Sequence, residues 1–406
     1  MLNEVNVVLV GLGGYGEFYT DELMAGAGAH GARLVAGVDP SPQRSTHYQT
    51  LQAAKVPIYP SLEQFYQAGL PADLVIISVA IHLHAPLTCL ALSKGSHVLC
   101  EKPLCASIED IQKMAEAERQ AGKFVAIGYQ WSYTSAVQAL KQDILSGVLG
   151  RPKRMKTIVL WPRTASYYRR NAWAGRIKTD EGEWVLDSPA HNATVHDLHN
   201  ILYLLGETIE TSAWPLQLQA ECYRANPTEN YDAIALRCRT ESGVEVLFYS
   251  AHSVPETIGP LLHYEFENAV VGYRSGPGES FVAHFRNGHT HSYGDPDPEH
   301  PNKLWQAIAA VNSGARPLCG IRAAAPQVLC ILSAHRSSNI VPFPTEMVKV
   351  TDLADGDTLT WAAGLEEAFT RGYEGNILPS ELGVFPWTRS GPIYNLSLDI
   401  ERIKNY

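Results

Sequence analysis

The sequence is poor in the features that mark several protein classes. No stretch of about 18 consecutive apolar residues occurs, and no run of Lys or Arg interleaved with aromatic residues is present. A membrane span and a phosphate-tracking surface are therefore not expected, and neither membrane nor nucleic acid is an expected partner. Basic residues number 32 against 42 acidic ones, a formal net charge of -10. The seven cysteines, Cys89, Cys100, Cys105, Cys222, Cys238, Cys319 and Cys330, are scattered, odd in number and without a Cys-x-x-Cys pair. That usage fits reduced thiols acting as small apolar side chains. The strand-like run Val5 to Val10 lies close to Met1 and leaves no apparent room for a signal peptide, so a cytoplasmic location is expected. No internal repeat or low-complexity tract stands out.

A chain of 406 residues with 45% hydrophobic content can bury a sizeable core, more readily as two domains than as one. Its first third alternates strand and helix. Val5 to Val10 leads into Gly11-Leu12-Gly13-Gly14-Tyr15-Gly16 and a helix to about Met24, and Leu34 to Val38 forms a second strand ending at Asp39. The glycines divide the work of a dinucleotide-binding turn: Gly11 for the tight bend, Gly13 for close approach of the pyrophosphate, Gly16 for helix-strand packing, with phosphates facing the helix N-terminus. Asp39 stands where a carboxylate bonds a ribose 2′-hydroxyl and repels a 2′-phosphate, which favours NAD over NADP. Arg44 lies close enough in sequence to oppose that preference.

The alternation continues through Asp73 to Val79, a helix from about His84 to Lys94, and His97 to Cys100. Next come a helix from the Ser107 cap to about Ala121, and Phe124 to Gly128. The expected architecture is an α/β Rossmann domain over residues 1–128, a doubly wound parallel sheet of about six strands. Beyond Tyr129 strand follows strand: Arg154 to Trp161, Leu216 to Tyr223, Ala233 to Cys238, Val244 to Tyr249, Leu262 to Val271 and Ser280 to Arg286. Helical patterns return at Asn302 to Ser313 and Ile321 to Ser337. Residues 129–406 are expected to form an α+β domain with an open, mostly antiparallel sheet. The segment beyond about 345 has no clear assignment.

Three features carry a resemblance. Gly11-x-Gly13-x-x-Gly16 is followed by Gly95-Ser96-His97-Val98-Leu99-Cys100-Glu101-Lys102-Pro103-Leu104 with Gly128-Tyr129-Gln130, and then by Asp187-x-x-x-His191. Together they resemble the glucose-fructose oxidoreductase, inositol dehydrogenase and rhizopine-catabolism (Gfo/Idh/MocA) family over about residues 1–210, and more loosely around Gly320 to Pro326. The resemblance implies an NAD(P)-dependent dehydrogenase of a sugar, inositol or related polyol, assembled as a homodimer or homotetramer. It implies catalytic roles for Lys102, Asp187 and His191. Cofactor contacts fall at Gly11, Gly13, Gly14, Gly16, Asp39, Ser78, His84, Glu101, Lys102 and Gln130. Lys102, Asp187 and His191 are also its substrate contacts, to which the residue types of the segment Trp161 to Trp173 add Arg169 and Trp173. Two departures stand out: relatives often carry glycines before and within the acid-imidazole motif, and Thr-Pro where this chain has Val79-Ala80-Ile81-His82.

The residue types suit the chemistry. Oxidation of a carbinol needs a cation beside the oxygen, a base for its proton and a carboxylate to hold substrate or base. Ser188-Pro189 reads as a cap and first helical residue, which would put His191 in the first turn of a helix running to Leu205, where the dipole disfavours imidazolium. Lys102 could instead be a surface lysine after a strand, and Asp187 a helix-start carboxylate. On such a helix His196 would lie roughly 140° round from His191, at about 100° per residue, which is poor metal geometry; no metal is expected. The segment Trp161 to Trp173 is dense in aromatic, Arg and Asn residues and suits either a sugar or a subunit contact. A glycosidase that oxidises its substrate transiently, and a non-catalytic NAD-binding sugar sensor, are the competing functions.

Overall fold

The computed structural model describes residues 4–276 and 278–404. The chain divides into two compact units. The first runs to Thr134 and takes back Pro298–Ala325; the second comprises Ser135–Asp297 and the chain from Pro326. The run of successive strands in the sequence places all of 129–406 in the second domain. The return of 298–325 is decided by packing: Leu304, Ala307 and Ile308 of the helix Asn302–Ser313 join Val5, Val7, Leu9, Leu74, Ile76 and Leu99 in one core. The Ile127 N–H also donates to the Cys319 carbonyl at 2.8 Å.

The first unit holds six parallel strands, β1 (Val5–Val10), β2 (Ala32–Val38), β3 (Ile58–Tyr59), β4 (Leu74–Ile77), β5 (His97–Cys100) and β6 (Val125–Ile127), in the order β3-β2-β1-β4-β5-β6. β1, β4 and β5 are almost wholly apolar because helices cover both faces of a parallel sheet. The order reverses between β1 and β4, so their carboxyl ends open the crevice where such folds take ligands. The helix Ile108–Ala121 starts where Ser107 Oγ accepts from the Asp110 N–H at 3.1 Å, and ends at Gly122 in the left-handed conformation.

The second unit is built on a mixed sheet with strands β7 (Pro152–Leu160), β8 (Pro215–Arg224), β9 (Ala233–Thr240), β10 (Glu245–Ala251), β11 (Ile258–Phe266), β12 (Ala269–Arg274), β13 (Phe281–Phe285), β14 (Thr290–Gly294) and β15 (Ile340–Pro342). Their order is β14-β13-β12-β11-β7-β10-β9-β8-β15, with Tyr394–Asn395 also on β8. Only β10 with β7 and β15 with β8 are parallel. The expected single strand from Leu262 to Val271 is two, because the chain reverses at Glu267-Asn268, where both backbone N–H groups donate to the loop at Leu149 and Arg151. One face carries the helix Val195–Leu204, where Asn200 donates to Tyr264 Oη and Thr194 meets Ser250. On the other face Leu365, Phe369, Leu378 and Trp387 pack over Ile158, Leu247 and Tyr249. The unassigned C-terminal stretch therefore serves as a cover for the sheet.

Candidate active site

The fingerprint turn follows β1. Gly11 has φ +86°, and a Cβ there would lie 2.1 Å from the Ser78 carbonyl oxygen; a Cβ on Gly16 would lie 1.9 Å from the Gly11 carbonyl oxygen. Both positions require glycine for internal packing. Gly13 and Gly14 differ, since a Cβ on either meets nothing within 4 Å. Their freedom leaves room for a ligand to approach the backbone, which is what a pyrophosphate needs. Asp39 at the end of β2 accepts from the Leu12 N–H at 2.9 Å and the Ser41 N–H at 2.7 Å. It fixes the turn and retains lone pairs for ribose hydroxyls.

Lys102 follows β5 and is partly buried. Its backbone N–H donates to Glu101 Oε2 at 3.2 Å. Glu101 is buried, and its other oxygen accepts from Tyr19 Oη at 2.6 Å and Lys303 Nζ at 2.5 Å. Lys303, 0% exposed, also donates to Tyr15 Oη at 2.9 Å. Burial pushes the Glu101 carboxyl up, but the Lys303 charge and the donated hydrogen bonds outweigh it, and the net shift is downward. Burial lowers the Lys303 ammonium, with Glu101 opposing. Glu101 is thus an ionised strut beneath Lys102, and a Cβ on Gly128 would strike it at 2.7 Å. His84 is a strut as well. Its Nδ1 lies 2.7 Å from the Pro103 carbonyl and its Nε2 3.2 Å from the Val79 carbonyl, so both ring nitrogens face main chain. Burial lowers its pKa. Of the residues expected to touch cofactor, Glu101 and His84 are therefore engaged inside the protein, Ser78 is nearly buried, and Gln130 lies 3.5 Å from Tyr15 Oη through its Oε1. Nothing local in the sequence singles out Lys303 or Tyr19; a lysine in the first turn of an amphipathic helix looks like any solvated one.

In the second unit Asp187 is buried, accepting from the Gly175 N–H at 2.6 Å and from Asn192 Nδ2 at 2.7 Å. Arg170 Nη2 stands 3.6 Å from it. His191 is fully buried, but it does not stand in the first turn of a long helix. Pro189–His191 form one 3-10 turn, Asn192 leaves helical geometry at φ -137° and ψ -78°, and the α-helix begins at Val195. The Asn192 bond to Asp187 and a Thr194 Oγ1 bond to the Pro189 carbonyl at 2.9 Å hold the break. A dipole argument for a neutral His191 therefore does not apply. Arg169 is exposed and pairs with Asp357 at 3.3 Å. Its neighbour Arg170 lies by Asp187, with its guanidinium carbon 3.6 Å from the Tyr167 ring centre and 5.3 Å from that of Trp173. Among the described residues, no group of three His, Cys, Asp or Glu side chains could hold a metal.

Residues 5–129 match the family model described as an oxidoreductase family with an NAD-binding Rossmann fold, GFO_IDH_MocA. The 1,5-anhydro-D-fructose reductase of Ensifer adhaerens is 28% identical over 55% of this chain and 63% of its own length. The inositol 2-dehydrogenase of Rubrobacter xylanophilus is 29% identical over 51% of this chain and 54% of its own. The chain thus spans little more than half the length of these curated relatives. Among solved structures, the WlbA dehydrogenase of Bordetella pertussis, in complex with NADH and UDP-GlcNAcA, superposes with a TM-score of 0.70 at 21% identity, covering 84% of this chain and 98% of its own. The aldose-aldose oxidoreductase of Caulobacter crescentus does so with a TM-score of 0.66 at 20% identity, covering 82% and 97%. At such identity the likeness is one of fold. With its fingerprint turn, strutted Glu101-Lys102-Pro103 and matched residues 5–129, the first unit is similar to the GFO_IDH_MocA oxidoreductases and is an NAD-binding Rossmann domain.

Proposed function

We propose that this protein is an NAD-dependent dehydrogenase that oxidises a hydroxyl-bearing carbon of a sugar, inositol or sugar derivative, or reduces the corresponding carbonyl. The observation that carries the reading is the shape of the fingerprint turn: Gly11 and Gly16 are locked by internal contacts while Gly13 and Gly14 face open space at the carboxyl end of β1. Bound there, NAD supplies the hydride acceptor. Gly13 and Gly14 would border its phosphates and Asp39 its adenine ribose, and the Asp39 charge would repel a 2′-phosphate.

The remaining work falls to the side chains that the family resemblance assigns to it. Lys102 presents its ammonium to the reacting oxygen and stabilises the charge that develops as the hydroxyl proton leaves. His191 receives that proton. Asp187, anchored by Gly175 and Asn192, offers a fixed carboxylate that orients substrate or base. Trp173 and Arg169 complete the proposed substrate wall. The names of the curated relatives, a reductase of an anhydro sugar and a dehydrogenase of inositol, support the substrate class. Assembly as a homodimer or homotetramer is part of the proposal, supported by the exposed apolar side chains Val350, Ile393 and Leu398. A cytoplasmic site of action is supported by the seven scattered cysteines, whose usage fits reduced thiols.

The test is a screen of polyols and aldoses for NAD reduction, followed by variants. His191→Asn is expected to lose on the order of 10²–10⁴ in kcat, and Lys102→Ala at least as much. Absence of turnover on every candidate, or a Lys102→Ala variant as fast as the parent, overturns the proposal.

A further inference from the structure

The segment after β7 carries several arginines, and all but one have an acid. Arg169 takes Asp357, Arg170 lies by Asp187, and Arg176 takes Asp180 at 2.8 Å and Glu229 at 3.3 Å. Arg163 makes no ion pair among the described residues. Its Nη1 donates to the carbonyl of its neighbour Pro162 at 3.2 Å, its guanidinium also acts on the Tyr167 hydroxyl, and its buried Nε has no acceptor among the described residues. The guanidinium lies 5.1 Å from the Tyr167 ring centre and 5.7 Å from that of Trp161. Aromatic faces offset only part of what a guanidinium loses on leaving water, so a half-buried Arg without a carboxylate is an incomplete site.

Two further polar groups stand open beside it. His252 is buried, and its Nδ1 lies 2.9 Å from the Trp161 carbonyl. Burial, then the Arg163 charge, pulls its pKa down to about 3, so the ring is neutral at physiological pH. A neutral ring that donates from Nδ1 has a lone pair at Nε2, and no donor meets that atom. The His252 ring lies 5.5 Å from Tyr167, on which Arg163 and Arg170 also converge. The buried hydroxyl of Tyr168 likewise has no hydrogen-bond partner among the described residues. Of the carboxylates nearby, Asp187 faces Arg170, and Asp232 is taken up by Ala225, Asn226 and Ser253. Arg163 is therefore the one arginine of this segment that makes no ion pair among the described residues.

We propose that Arg163 is a specificity-determining residue that binds an anionic group of the substrate, a carboxylate or phosphate carried by the sugar, while His252 Nε2 accepts a hydrogen bond from one of the substrate's hydroxyls. This inference rests on the dehydrogenase reading and narrows its substrate class to acidic sugars. An arginine suits the task because its fork can donate two parallel bonds to a carboxylate or phosphate, and such charge-assisted bonds are about twice as strong as neutral ones.

The experiment compares kcat/KM of the full chain with NAD on matched sets: a neutral hexose, its uronic acid and its 6-phosphate, with a neutral inositol and its monophosphate. One of the acidic forms is expected to exceed its neutral parent by roughly 10- to 100-fold, chiefly through KM. In Arg163→Met that ratio should fall to about one, and in Arg163→Lys, which keeps charge without the fork, it should lie between. Preference for the uronic acids identifies carboxylate as the ligand, and preference for the phosphates identifies phosphate. Binding of the preferred acid by calorimetry, in wild type and Arg163→Gln, gives a reading independent of turnover. If neutral sugars are oxidised as well as their acids, or if Arg163→Met slows both equally, the inference falls while the dehydrogenase reading stands. If nothing is oxidised, both fall.

Discussion

Replacing Lys303 by Met removes the ammonium that faces the buried Glu101 carboxylate and leaves an apolar chain of similar length against Tyr15 and Phe18. Among the described residues Glu101 would keep the Tyr19 hydroxyl at 2.6 Å, the Lys102 N–H at 3.2 Å and the weaker pull of the Lys102 charge. Breaking one side of a buried ion pair costs about 3–5 kcal/mol, whereas replacing both sides with neutral groups costs far less. At about 2–4 °C per kcal/mol for a domain of this size, the first unit of Lys303→Met should melt roughly 6–20 °C lower at pH 7. The double variant Glu101→Gln/Lys303→Met should recover at least half of that loss. The pH response separates this from simple loss of packing. In the parent the Glu101 pKa is depressed, so its contribution is present above the unfolded value of about 4.3 and is lost as pH falls through the folded one. In Lys303→Met burial prevails, the folded pKa rises above 4.3, and the variant must gain stability as pH falls from 7 toward 5. The assay is thermal unfolding of the full chain at pH 5, 6 and 7. A single variant within about 1 kcal/mol of the parent, or a double variant no better than the single, would show that the pair adds nothing and that Glu101 is not a charged strut.

Gly13→Ala should unfold within about 0.5 kcal/mol of the parent while its KM for NAD rises at least tenfold, whereas Gly11→Ala should be destabilised because its Cβ has no space beside Ser78; an unchanged KM in Gly13→Ala would remove the turn from the cofactor site. Asp39→Ser should shift the kcat/KM ratio toward NADP, and an unchanged ratio would mean that the 2′ position lies elsewhere. Burial, with the Asp297 charge adding, pushes Asp197 up to about 7. A raised carboxyl binds its proton more tightly when folded, so this group's contribution falls as pH rises between about 4 and 7. Asp197→Asn should therefore flatten the decline in melting temperature from pH 5 to 8, and an equal slope in both proteins would refute the shift.

The sequence by itself determined the local elements. The helices Asn302–Ser313 and Ile321–Ser337 have the ends that their apolar periodicity marks, and Ser107 caps as its type predicts. The almost wholly apolar runs at β1, β4 and β5 announced a parallel sheet covered on both sides. Gly11 and Gly16 were legible because a tight turn and a close helix-strand contact exclude every other side chain. The break after His191 had a signal in Asn192 and Thr194, whose short polar side chains bond the backbone or a near neighbour rather than support a helix. Asn268 likewise marked a turn inside what read as one long strand.

Tertiary structure alone decided which charges are buried and which stand alone. Lys303 is far from Glu101 in sequence, and nothing local distinguishes it from a solvated helix lysine; only the return of 298–325 to the first unit puts its ammonium on that carboxylate. Arg169 and Arg170 are neighbours of one type, yet the turn of the chain sends one to Asp357 and the other to Asp187, and leaves Arg163 without an acid among the described residues. Periodicity reports which face of an element is apolar. Partnership between ions depends on where distant segments meet, and that is a property of the packed fold.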